Sequence, residues 1–156
     1  MTSLTRLPCR GCLKSCKNYT TCQGYPWRLP IERDIPQKAK QLLIVAHGSR
    51  REDSNEEVRT LAKKVSSNLQ LLADDVVVAF LEITSPSIGT TIDNCFNRGT
   101  DEVVVLPYFL SSGNHVVNDL PRELENALAK WPGKVITTLP HIGASDEMVN
   151  LIAKVY

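Results

Sequence analysis

Four short apolar runs rich in β-branched residues, each followed by a stretch of helical periodicity, constrain the fold of this chain more than any other feature. They read LLIVA (42–46), VVVAFLEI (76–83), EVVVLPYFL (102–110) and KVITTLPHI (134–142). Nearly continuous Val, Ile and Leu suits strands covered on both faces, as in a parallel sheet, whereas a half-exposed strand alternates apolar with polar residues.

The intervening stretches read as helices. Ser54, with Glu57 three residues on, has the form of a capping box, and Val58, Leu61, Ala62, Val65, Leu69 and Leu72 follow at helical spacing. After the second run, Ser85 reads as an N-cap and Pro86 as the first helical residue. Ile88, Ile92 and Cys95 then share one face, which puts Cys95 in the core, before Gly99. After the third run comes the loop SSGNHVVN, then a helix capped by Asp119, with Leu120, Leu124 and Leu128 facing inward and Gly133 closing it. Ser145 caps the last helix, whose acids lie in the first turn and whose Lys154 lies near the end, as the helix dipole prefers.

Strands alternating with helices predict an α/β domain: a four-stranded parallel sheet with helices on both faces and right-handed crossovers. Such open sheets bind ligands beyond the carboxyl ends of their strands, near the point where strand order reverses. Functional residues are therefore expected at the four strand ends.

Length and charge narrow the partners. A chain of 156 residues with 42% hydrophobic content can bury one substantial core. A net charge of +1 gives no concentrated basic surface for nucleic acid or an anionic membrane. No apolar run approaches the roughly 20 residues needed to span a bilayer, and MTSLTRLPCRGC lacks the apolar stretch of a secretory signal. The expected compartment is the cytoplasm.

Residues 1–40 differ in texture from 41–156. They hold four prolines, no clear period, and Cys9, Cys12, Cys16 and Cys22 in the spacing C-x2-C-x3-C-x5-C. Four thiols so close together in a reducing compartment point to Zn2+ or an iron–sulfur cluster, with unliganded or redox-active thiols as the alternative. The first forty residues are read as a cysteine-rich extension and the remainder as the α/β domain.

At the predicted strand ends stand His47, Gly48, Ser49 and Arg50 after the first strand and Glu82 near the end of the second. Ser111, Ser112, Gly113, Asn114 and His115 follow the third, and His141 lies near the end of the fourth. All three histidines of the chain fall on this rim. Two imidazoles and a carboxylate from separate strands make an open site for a divalent first-row metal, and an imidazole also accepts a proton near neutral pH. Taken singly, His47 and His115 suit a backbone-bonded loop histidine as well as a ligand, Glu82 suits a loop cap or an arginine partner, and for His141 the structural role is favoured.

Other chemistries fit less well. GxxxxGK[ST] and GxGxxG are absent, so no nucleotide cofactor is expected; GxSxG and HExxH are absent too. A histidine directly after the first strand, followed by Arg50 and Arg51, keeps phosphoryl transfer open as an alternative, alongside a metal-delivery module without catalysis.

In LLIVAHGSRREDSNEE, FLEITSPSI and VVVLPYFLSSGNHVVNDLP, in that order and spacing, the chain resembles the short CbiX-type members of the class II chelatases. The resemblance covers about residues 41–156. It implies a chelatase-like, flavodoxin-like half-unit that works as a homodimer, and the ATP-independent insertion of Co2+, Fe2+ or Ni2+ into sirohydrochlorin in cobalamin or siroheme biosynthesis. By the same resemblance His47 matches a metal ligand and proton acceptor and His115 a second metal ligand. Glu82 matches a substrate-contacting acid, and Leu110, Ser111, Ser112, Gly113, Asn114 and His115 match the loop lying against the macrocycle. His141 matches no assigned role. Some chelatases of this class carry a cluster at the opposite end of the chain from these cysteines.

Overall fold

Each predicted strand forms where its apolar run meets a neighbour. In the computed structural model, which describes residues 39–156, β1 (Lys40–Ala46) pairs in parallel with both β2 (Val76–Phe80) and β3 (Glu102–Pro107). A short β4 (Val135–Thr138) adds beside β3, giving the order β2-β1-β3-β4. The four cysteines of the extension lie outside the described residues.

The pleat of β1 sorts its side chains onto two faces. Leu43 and Val45 enter a core with Ile88, Ile92, Cys95 and Phe96 of α2 (Ile88–Asn97) and Leu120, Leu124 and Ala127 of α3 (Leu120–Leu128). Ile44, with Leu42 beside it, packs instead against Ala62, Val58 and Val65 of α1 (Glu52–Asn68). Helices thus lie on both faces. Cys95 is buried, as its place on the helical stripe predicts. The last helix, α4 (Asp146–Val155), leaves Val149, Leu151 and Ile152 exposed.

Several local expectations are corrected. The apolar runs overshoot the sheet: β2 stops at Phe80, β3 at Pro107 and β4 at Thr138. Pairing fades gradually beyond them, with Leu81 N–H donating to the Ala46 carbonyl and Leu139 N–H to that of Val105, until Pro140 brings no donor. Helix α1 begins at Glu52, so Ser54 lies inside its first turn and forms no cap. The helix also ends before Leu69 and Leu72, which are exposed.

Helix α2 is capped by Ser87, whose hydroxyl accepts the Thr90 N–H, not by Ser85. Pro86 precedes the helix, its carbonyl taking the Phe80 N–H as a continuation of β2. Asp119 makes no side-chain cap, because a turn of π-helix (His115–Asp119) runs directly into α3. Gly133, at φ +85°, turns the chain toward β4 well after α3 has ended at Leu128.

Register sets where the rim lies. Ala46 is level with Phe80, and Val45 with Pro107. The chain leaves β1, β2 and β3 at nearly one height, and strand order reverses between β1 and β3, the crevice in which doubly wound sheets hold ligands.

Candidate metal centre

His47 is the residue after β1. Gly48 follows at φ +94°, a conformation side chains rarely adopt, and a Cβ there would overlap the Glu82 carbonyl oxygen. The glycine therefore lets the loop after β1 lie directly against the loop after β2. Glu82 N–H donates to the His47 carbonyl at 3.0 Å, which fixes the acid beside the histidine. Ile83 then takes φ +70°, a costly conformation for a β-branched residue, at the point where the chain turns away from Glu82.

The His47 loop is held from below by Asn55. This side chain is 1% exposed; its Oδ1 accepts the Ser49 N–H and its Nδ2 donates to the Ser49 carbonyl, both at 2.9 Å. Asn55 Nδ2 also reaches Glu52, which pairs with Arg59 at 2.5 Å. The Arg59 guanidinium lies 5.3 Å from the centre of the Phe80 ring and donates to the Ser85 carbonyl. One network therefore joins the histidine loop to the loop that carries Glu82. Glu52, at the amino end of α1, sits below the ordinary carboxylate range because Asn55 and then Arg59 donate to it.

His115 opens the π-turn after β3. Its ring stands edge-on to that of His47, with centroids 4.8 Å apart and planes at 78°. His115 Nδ1 lies 2.9 Å from Asp119 Oδ2 and 3.6 Å from Glu82 Oε1. His47, Glu82 and His115 each bring one ligand atom to within 4.8 Å of the other two. Ligands sharing a tetrahedral ion lie about 3.4 Å apart, so small side-chain rotations close the set on a divalent metal. The set lies on an exposed rim, so an ion held there would keep coordination positions open to a second molecule.

The segment Leu110 to His115 runs beside this centre, and Leu110 is 74% exposed. Exposed Ile83 and Val117 flank Glu82 and His115 in sequence, so apolar side chains accompany the candidate site residues. The start of the segment is clamped from the loop after β4. Phe109 carbonyl accepts Gly143 N–H at 3.0 Å, with His141 Nδ1 at 3.2 Å, and a Cβ on Gly143 would overlap the backbone of Leu110.

The structure gathers His47, Glu82 and His115, as their strand-end positions predict, whereas His141 bonds to the Phe109 carbonyl. Asn55, Asp119 and Gly143 were missed. For Asp119 a signal existed, since it follows His115 by four residues, a spacing that places two side chains on one helical face.

The CbiX family model matches residues 41–156. The chain belongs to the CbiX family. Among relatives of this CbiX chain, the sirohydrochlorin cobaltochelatase of Sulfolobus acidocaldarius is 31% identical over 71% of the chain and 85% of that protein. The sirohydrochlorin ferrochelatase of Bacillus subtilis is 25% identical over 71% of the chain but only 42% of its own length. The CbiX chain thus spans less than half of the longer Bacillus relative. Among solved structures, the sirohydrochlorin chelatase SirB of Bacillus subtilis subspecies spizizenii, in complex with cobalt, superposes with a TM-score of 0.62 at 26% identity, covering 74% of this chain and 49% of that one.

Proposed function

We propose that this CbiX chain inserts a divalent metal, Co2+ or Fe2+ with Ni2+ as a third candidate, into sirohydrochlorin for cobalamin or siroheme synthesis. The observation that carries the proposal is the convergence of His47, Glu82 and His115 on one open rim. Metallation replaces two pyrrole N–H protons by one M2+ and releases both, so the site has to present the ion from one face and accept protons. In this reading His47 is ligand and base, His115 is co-ligand, and Glu82 orients the substrate or takes a proton. Leu110, Ser111, Ser112, Gly113 and Asn114 lie against the macrocycle. Exposed Arg50 and Arg51 meet its peripheral carboxylates.

The proposal extends to assembly and setting. A second copy completes the site as a homodimer, which the exposed apolar face of α4 and the match to less than half of the longer Bacillus relative support. The compartment is the cytoplasm; among the described residues no helix is long and apolar enough to cross a membrane. Residues 1–40 form a separate extension in which Cys9, Cys12, Cys16 and Cys22 hold Zn2+ or an iron–sulfur cluster, a reading supported by their spacing.

Mixing the protein with sirohydrochlorin and Co2+, Fe2+ or Ni2+ tests the activity. Saturable loss of the free-base absorbance is the expected result; no acceleration over the spontaneous rate rejects catalysis and leaves metal delivery. Metal analysis and a visible spectrum of anaerobically purified protein test the extension.

A further inference from the structure

Among the described residues, Asp119 is the one carboxylate within hydrogen-bond distance of a candidate metal-binding imidazole, and it makes no helix cap. Its Oδ2 lies 2.9 Å from His115 Nδ1, against 3.6 Å for Glu82 Oε1. The Asp119 carboxylate is itself held from two other directions, by Asn114 Nδ2 at 3.3 Å and by Arg122 at 3.2 Å. Its side chain is 22% exposed. The π-turn brings the two side chains together, with Leu120 N–H closing on the His115 carbonyl five residues back. Such wide turns recur at functional sites, where they re-aim side chains.

An ionised carboxylate only accepts, so the contact requires a proton on His115 Nδ1. In the neutral ring this leaves the lone pair on Nε2. The imidazole is then oriented and in the correct tautomer before any metal arrives, and the hydrogen bond makes Nε2 a better donor to the ion.

We propose that Asp119 is a positioning residue for metal capture, fixing His115 as its Nδ1–H tautomer so that Nε2 faces the divalent ion. The inference rests on the reading of His115 as a metal ligand. It assigns Asp119 no contact with metal or tetrapyrrole.

The test uses the full chain with Zn2+ as probe. Long-range nitrogen–proton NMR correlations of the His115 ring report its tautomer. A metal buffer sets free Zn2+, and the ring resonances report occupancy, so ions held by the clustered cysteines do not enter the measurement. In the unmodified chain without Zn2+, neutral His115 should carry its proton on Nδ1. Asp119→Ala should redistribute it toward Nε2 and raise the half-saturating free Zn2+ about tenfold to a hundredfold. Asp119→Asn keeps an acceptor oxygen and should recover part of both effects, which a purely structural role would not predict.

An Nε2–H tautomer in the unmodified protein overturns the proposal, as does an unchanged tautomer or Zn2+ affinity within twofold in Asp119→Ala. If His115→Ala leaves Zn2+ binding at the His47 ring unchanged, the ligand role of His115 fails, and the proposal with it.

Discussion

The rings of His47 and His115 meet edge-on, 4.8 Å apart, although 67 positions separate them in the chain and each leaves a different strand. The pair exists because β1 and β3 are neighbours across the point where strand order reverses. His47→Ala and His115→Ala should each abolish most turnover with an unchanged circular dichroism spectrum. His141→Ala should be mild, since it removes one bond to the Phe109 carbonyl, worth about 1 kcal/mol. Comparable loss in all three variants, measured as the rate of tetrapyrrole metallation, refutes the assignment.

Gly48 and Gly89 should respond oppositely to alanine. At Gly48 the new Cβ meets the Glu82 carbonyl in a conformation already unfavourable to it, so Gly48→Ala should cost at least about 1 kcal/mol and displace Glu82 from His47. At Gly89, inside α2, nothing lies within 4 Å of the added carbon. There alanine should stabilise by about 0.5 to 1 kcal/mol. Urea denaturation of the two variants measures both signs.

Asn55→Ala should weaken the histidine loop before it weakens the fold. The buried amide satisfies both backbone groups of Ser49, and its loss leaves them with water or nothing, at a cost of about 1 to 3 kcal/mol. Hydrogen exchange at Ser49 should accelerate more than exchange in β1.

Acid should unfold the protein partly through Asp93. The Trp131 indole N–H donates to this carboxylate at 2.8 Å, and with Lys130 it holds the folded pKa below the usual carboxylate range. A depressed folded pKa contributes stability above the unfolded value of about 3.9, and that contribution disappears as pH falls through the folded pKa. The stability deficit of Asp93→Asn should therefore be full at neutral pH and vanish in strong acid. A deficit independent of pH means the charge is not involved.

Cys95 should be silent to thiol reagents in the native state. It is 2% exposed, and burial pushes its thiol pKa up, so little thiolate is available and nothing can reach it. Mass-spectrometric mapping after alkylation should find Cys95 unmodified until denaturant is added, whatever happens at the other four cysteines.

How much of this could be read in advance differs between fold and site. The alternation of strands and helices along the chain and the burial of Ile92, Cys95 and Leu124 follow from apolar periodicity, a property of neighbouring residues. Where the strands end did not, because Leu81, Phe109 and Leu139 remain apolar beyond the last residues of β2, β3 and β4. The capping expectations at Ser54 and Ser85 failed for a related reason. Each residue has the right chemistry, but the turn on which it sits is decided by contacts from other segments, Asn55 on Ser49 in one case and Phe80 on Pro86 in the other.

By itself the sequence determined an alternation of buried strands and amphipathic helices, and placed His47, Glu82 and His115 at strand ends, because both follow from local pattern. Only the tertiary structure decided that these three converge while His141 turns to clamp a loop, and that Asp119 bonds an imidazole instead of capping a helix. Those outcomes depend on parallel register and on close backbone approach at Gly48 and Gly143, which arise between segments far apart in the chain.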